Sequence, residues 1–303
     1  METIIPPVDR DLLEKELTCE KYLRKANFGN AEIYLFTHHN SPMLMREVAR
    51  LREVTFREAG GGTGKALDID KFDISDTPYQ QLIVWDSEDR EITGAYRFIR
   101  GKDVMDNVEE KLATTRLFRF SNKFIQEYLP YTIELGRSIV QPKYQFANNR
   151  KKGIYALDNL WDGLGALVVK YPDMNFFFGK ITMYKHFDQQ ARDFILTFIN
   201  LYFPNKDRLV EAIDPIPVDT EKYDDIFHGN DYKKDYAILS KKVRSFGENI
   251  PPLFNAYMNL SPSMQTFGTV ENPHFGGVEE TGIMINIQDI YESKKKRHVG
   301  SIK

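Results

Sequence analysis

The sequence predicts a mixed α/β fold, one sheet carrying helices on both faces. Three observations support this. Apolar residues make up 42% and aromatic residues 13% of 303 residues, enough for one large core or one core with a companion lobe. Segments alternating with period two are interleaved with segments whose apolar residues recur at helical spacing. No internal repeat or low-complexity tract interrupts them.

After a polar, helical N-terminal arm (1–31), Glu32 to Thr37 alternates and reads as the first strand. Ser41 and Pro42 open a helix in which Leu44, Val48, Leu51 and Phe56 share a face, and Gly60 to Gly62 stop it. Gln80 to Trp85 and Ile92 to Ile99 form a hairpin around the polar turn Asp86 to Arg90. A mainly helical excursion, Val104 to Tyr128, leads to a strand over Tyr131 to Val140. Pro142 and a basic, Asn-rich loop ending at Gly153 follow. Tyr155 to Val169 has a wide apolar helical face, Asn175 to Tyr184 reads as a buried strand, and Gln189 to Phe203 as a second amphipathic helix. Pro204 to Lys242 reads as an irregular insertion. Ile250 to Leu260 and Gly282 to Ile287 supply a closing helix and strand, so the folded unit spans 32–290, with a basic tail at 291–303.

Charge excludes several functions. With 41 basic and 44 acidic residues the net charge is −3, so no nucleic-acid partner is expected. The single cysteine, Cys19, rules out an internal disulfide and fits a reducing compartment. The start lacks a basic segment followed by an apolar run, and no window approaches the roughly 20 apolar residues that span a bilayer. A cytoplasmic protein is expected. Lys294 to His298 could favour an anionic membrane surface by about 1 kcal/mol per basic residue, but the stretch reads first as a solvated, frayed terminus.

Several local strings carry no site. In Gly60 to Lys65, Ala59 and Ala66 stand where a phosphate-binding P-loop needs a glycine and a hydroxyl, so the segment reads as a flexible helix stop able to move over a substrate. The run Asp68, Asp70, Asp73, Asp76 lacks the central glycine and terminal glutamate of a calcium loop, and the six histidines lack ligand spacing, so no metal is expected. Glu134 is different. Alternation places it on the face opposite Leu135 and Arg137, and a carboxylate in so apolar a strand needs an ion-pair partner or a function. Asn148 to Gly153 opens a helix with the cations Arg150, Lys151 and Lys152, a place to hold a phosphate.

In order along the chain, these pieces resemble the acyl-carrier-dependent branch of the GNAT superfamily. That branch includes acyl-homoserine lactone synthases and the hemolysin-like acyltransferases of ornithine and glycine lipid synthesis. Arg52 and Phe56 match its R-x-x-x-F, Asp70 and Asp73 its D-x-x-D, Gly94 and Arg97 its G-x-x-R, and Glu134 and Arg137 its E-x-x-R. Arg150 to Gly153 looks like the superfamily's pyrophosphate loop, without its last small residue. Ile250 to Leu260, Phe275 and Gly282 to Ile287 are similar to the end of the amino-lipid enzymes. A glycine-rich segment stands where lactone synthases carry a tryptophan, which argues against S-adenosylmethionine as acceptor.

The resemblance implies a GNAT-type, mostly antiparallel sheet and an N-acyltransferase. Its donor would be an acyl-phosphopantetheine thioester, a co-substrate delivered by acyl carrier protein or CoA. Its acceptor would be a small amino acid of glycine or ornithine type. The strands bearing Glu134 and Phe176 to Phe178 would splay to admit the pantetheine, with the acyl chain against aromatics. Glu134 would be the base, through water, with Arg137 beside it. A backbone N–H near Ile139 or Val140 would face the oxyanion, and Arg150, Lys151, Lys152 and Gly153 the pantetheine phosphate. Arg52, Phe56, Asp70, Asp73 and Arg97 would bind substrate, and Arg97 and Arg137 would either clamp a carboxylate or position the aspartates. An acetyl-CoA-dependent acetyltransferase and a nonenzymatic acyl-carrier or lipid-binding module are the alternative readings.

Overall fold

A computed structural model describes residues 1–145, 150–218, 223 and 226–300. Eight strands form one sheet: β1 (Tyr22–Lys25), β2 (Ala31–Phe36), β3 (Gln80–Asp86), β4 (Glu91–Arg100), β6 (Thr132–Val140), β7 (Phe176–Met183), β10 (Val278–Asn286) and β9 (Gln265–Asn272), in that order across the sheet. Neighbours are antiparallel except β6 and β7, which run parallel. The β3–β4 turn forms because Asp86 accepts the backbone N–H groups of Glu88 and Asp89, and Arg90 adopts a left-handed φ of 55°.

Alternation decides which helix each strand meets. Ile83 and Trp85 of β3 pack on α2 (Pro42–Glu58) through Leu44, Met45, Val48 and Leu51. Leu82 and Val84 point the other way, onto α5 (Arg150–Lys170) through Leu160, Leu164 and Leu167. On the other half of the sheet, α6 (Gln189–Tyr202), α7 (Tyr232–Ser245) and α8 (Pro252–Met258) bury Ile181, Met183, Ile283 and Ile285. The opposite face there is closed by Phe118, Phe124 and Val210 over Phe178, Phe267 and Met284.

Several sequence expectations are corrected. The N-terminal arm holds α1 (Arg10–Glu16) and also β1, an edge strand too short and polar to alternate visibly. Ser41 makes no side-chain cap; the Glu16 carboxylate accepts the N–H groups of Met43 and Leu44 instead. The excursion after β4 is broken into one-turn pieces, including α4 (Val108–Lys111), a 3-10 turn Thr114–Arg116 and a π-turn Phe124–Tyr128. Between the last two lies β5 (Phe118–Phe120), which pairs with β8 (Val210–Ala212) inside the supposed irregular insertion. That insertion also contains most of α7, whose Leu239 and Val243 face the core.

The basic end is not frayed. It forms α9 (Glu292–His298), docked on α5 by His298 Nδ1 at 2.8 Å from Asp162 and by an Arg297–Asp158 ion pair at 2.6 Å. No helix among the described residues is long and apolar enough to cross a membrane.

Gly165 makes the α9 contact possible, since a Cβ there would lie 2.2 Å from the His298 carbonyl oxygen. Gly165→Ala is therefore expected to displace α9 and to lower stability by about 1–3 kcal/mol. Thermal unfolding of the variant beside wild type checks this.

Candidate active site

The site begins where the sheet divides. β6 and β7 pair only over Thr132↔Phe176, Ile133↔Phe177 and Glu134↔Phe178; beyond, β6 stays with β4 and β7 with β10. Gly179 marks the parting point: a Cβ there would lie 2.8 Å from the Leu135 carbonyl oxygen, closer than two strands bearing side chains allow. The expected splay is thus present, and it opens into a cavity of about 1320 Å³ that passes through the sheet. Phe56, Asp70, Arg97, Glu134 and Arg137 line one mouth; Tyr96, Leu157, Leu253 and Tyr257 line the other. Ile139, Val140, Gly153, Phe177 and Phe178 also line it, whereas Phe176 packs against Tyr128 outside the lining, with ring centroids 5.2 Å apart.

Glu134 is 2% exposed and makes no ion pair among the described residues. Three neutral donors hold it instead: Tyr79 Oη at 2.5 Å, Thr114 Oγ1 at 2.6 Å and the Ala113 N–H at 3.2 Å. Burial raises its pKa above the ordinary carboxylate value, and those hydrogen bonds, with the more distant charges of Lys180 and Arg97, only partly offset the rise. A carboxylate bonded by neutral donors, with no cation in direct contact, keeps its affinity for a proton.

The expectation that Arg137 faces away from Glu134 is overturned by a bulge. Pairing with β4 skips between Arg97↔Gly136 and Ala95↔Ile139, and Arg137 takes a left-handed φ of 50°. The extra residue breaks the period of two and turns Arg137 onto the Glu134 face. There its Nε donates to Asp68 at 2.7 Å, and its guanidinium lies 4.2 Å from the Phe275 ring centroid.

Arg137 joins an ionic set that absorbs the other sequence candidates. Asp73 receives Arg52 at 3.1 Å and Arg97 at 3.1 Å, and Arg97 also holds Asp70 at 2.9 Å. The D-x-x-D spacing is a capping box for the one-turn helix α3 (Lys71–Ile74): Asp70 accepts from the Phe72 N–H and Asp73 from the Asp70 N–H. Burial raises the Asp73 pKa, but the charges of Arg52 and Arg97 outweigh it and hold the carboxyl well below its usual range. Arg52 and Asp73, expected to bind substrate, are wholly buried behind the lining and fix the residues that do face the cavity. Arg97 is paired with Asp70 and Asp73, and Arg137 with Asp68.

The glycine-rich segment is pinned. Glu53, buried on α2, accepts from the N–H groups of Thr63 and Gly64 and from Thr63 Oγ1, while Gly60, Gly62 and Gly64 supply the positive φ the wrap requires. In the expected phosphate loop, Asn148, Asn149 and the side chains of Arg150 and Lys151 lie outside the described residues. Lys152 is bonded to Asp86 at 3.0 Å and Asp89 at 2.8 Å, so its charge is already balanced. Sequence reasoning missed Tyr79 and Thr114. They sit on short connections without periodicity, and nothing local marks them.

Comparison with known proteins agrees with this geometry. Residues 51–151 match a family described as acetyltransferase (GNAT) domain, a span that contains every member of the ionic set and Glu134. The chain is 50% identical over 305 residues to the glycine N(alpha)-acyltransferase of Phocaeicola vulgatus, covering 99% of this chain and 94% of that protein. It is 50% identical over 303 residues to the glycine N(alpha)-acyltransferase of Bacteroides thetaiotaomicron, covering 99% and 90%. No solved structure matches it.

Two outcomes follow from the ionic set. Arg52→Met strips Asp73 of one guanidinium and Gln81 of its partner, and should destabilise by about 3–5 kcal/mol in chemical denaturation. Asp73, with its pKa depressed, contributes stability that is full above its ordinary value of 3.8 and is lost as pH falls below it. Asp73→Asn should flatten that acid limb of the stability curve.

Proposed function

The chain belongs to the GNAT acyltransferase family, and from that premise we propose that it transfers a fatty acyl group from acyl carrier protein to the amine of glycine, in lipid synthesis. The enzyme class follows from the family; donor and acceptor are our reading. Both relatives carry glycine in their names and match this chain end to end at 50% identity. A cavity of about 1320 Å³ walled by Phe177 and Phe178 suits a chain far longer than acetyl.

The observation that carries the mechanism is Glu134 at the parting of β6 and β7, held by neutral donors alone. A thioester entering the gap would bring its carbonyl carbon beside it. The amine nitrogen attacks that carbon, the C–N bond forms and the C–S bond breaks, and the sulfur leaves as thiolate. The nitrogen must shed a proton, which Glu134 accepts directly or through water. A backbone N–H near Ile139 or Val140, on the side of β6 that β7 leaves unpaired, would receive the oxyanion. Asp70, at the cavity surface and oriented by Arg97, can receive the acceptor's ammonium group before it is deprotonated. We place the reaction in the cytoplasm, at the inner face of the membrane into which an acylated amino acid partitions.

Glu134→Gln should lower kcat about 10²-fold or more without loss of melting temperature. Because the pKa is raised and the base form is required, wild-type activity should climb with pH across a limb above the ordinary glutamate range, a limb the variant lacks. In donor competition, long-chain acyl carrier protein should outrun acetyl-CoA. Faster turnover of acetyl-CoA would overturn the donor assignment, and an active Glu134→Gln the base.

A further inference from the structure

An amino-acid acceptor brings a carboxylate into the cavity, and the two arginines that looked suited to hold it are spent. Arg52, Arg97 and Arg137 are matched by Asp68, Asp70 and Asp73, so the set offers no net positive charge. Lys180, also in the lining, is paired with Glu280. Of the lysines and arginines described in the lining, only Arg116 and Lys65 make no ion pair. Their placement differs. Lys65 belongs to the glycine-rich segment tied to Glu53 and Arg57, with no bond to the Glu134 network.

Arg116 ends the 3-10 turn Thr114–Arg116 whose Thr114 hydroxyl, with the preceding Ala113 N–H, holds Glu134. Two residues of chain span at most about 7 Å, so along the backbone Arg116 stays within that reach of Thr114, which holds the base, and both line the cavity. Phe72 sets the direction. Its ring lies 5.3 Å from the Arg116 guanidinium and 5.8 Å from that of Arg97, so Arg116 is braced by the same ring that backs the acceptor-facing Arg97–Asp70 pair. Glu110 feels the Arg116 charge at longer range but is bonded to Lys71.

We propose that Arg116 is the carboxylate anchor of the acceptor site and the residue that restricts this enzyme to free α-amino acids. In an α-amino acid the amine and carboxylate share one carbon, so the anchor must lie near the base, and Arg116 shares its turn with Thr114, which holds that base. A guanidinium meets a carboxylate through two parallel N–H donors, which an uncharged amide or ester cannot reciprocate. This rests on the reading of Glu134 as base, and the test separates the two.

The experiment measures glycine and glycinamide as acceptors, with whichever thioester donor turns over best, in wild type, Arg116→Gln, Arg116→Lys and Lys65→Gln. Expected for Arg116→Gln are a KM for glycine raised about tenfold or more, a kcat little changed, and a glycine-over-glycinamide preference that collapses. Arg116→Lys should recover part of that preference, and Lys65→Gln should behave as wild type. Arg116 is exposed, so its variants should keep the wild-type melting temperature, and the pH limb assigned to Glu134 should persist in them. The proposal is overturned if Arg116→Gln keeps its KM for glycine within about twofold of wild type, if KM rises equally for glycine and glycinamide, or if the preference is lost in Lys65→Gln instead. Loss of the pH limb only in Glu134→Gln, with the acceptor preference intact there, would uphold both; a Glu134→Gln of normal kcat would sink the base and leave the anchor standing on its own KM.

Discussion

Asp73 lies between two buried guanidiniums, and one wall of the cavity is assembled around that contact. Ionised groups this far from water are tolerated only when paired and hydrogen-bonded. Arg52 comes from α2, Asp73 from α3 and Arg97 from β4, so satisfying three charges fixes three elements at once. Asp70, one turn from Asp73, is oriented as a by-product, and Arg137 closes the set through Asp68. Four short motifs far apart in sequence are therefore one object. Removing a member strips a neighbouring charge of one of its partners.

Much of the sheet was legible because its strands are long and half-buried. β2, β3, β4, β6 and β7 alternate over enough residues for the period to show, and α2, α5 and α6 present apolar faces. β1, β5, β8 and β9 were not legible: three have four or fewer residues, and β9 carries a left-handed Gly268 that disguises its run. α9 read as a solvated tail because its partners, Asp158 and Asp162, lie more than a hundred residues away. Tertiary pairing of that kind leaves no mark within a local window.

The site shows the same division. Glu134 could be singled out, since a charge in an apolar strand is conspicuous, while Arg97 and Arg137 stood out through the resemblance. Their mutual arrangement could not. Period-two reasoning put Glu134 and Arg137 on opposite faces, and one left-handed residue reversed the answer. An E-x-x-R pair on a flat strand would straddle the sheet, so residues three apart that must cooperate on one face require a bulge between them. Tyr79 and Thr114, which decide that Glu134 is held by dipoles and not by a cation, come from connections whose course is set by the packed whole.

The slot between β6 and β7 is bounded by main chain along the stretch 135–140, where β6 has a partner on one side only. Backbone donors and acceptors belong to every residue alike, so their pattern is indifferent to the side chains that happen to be mounted there. What enters the slot is consequently selected by a feature that ordinary substitution cannot edit; proline, which lacks the N–H, is the one replacement able to erase a rung. The lining side chains on either mouth carry no such constraint. On the function proposed above, such a fold would separate a fixed reading head from two adjustable ends, so the acyl chain and the amine could diverge independently while the carrier of the thioester stayed the same.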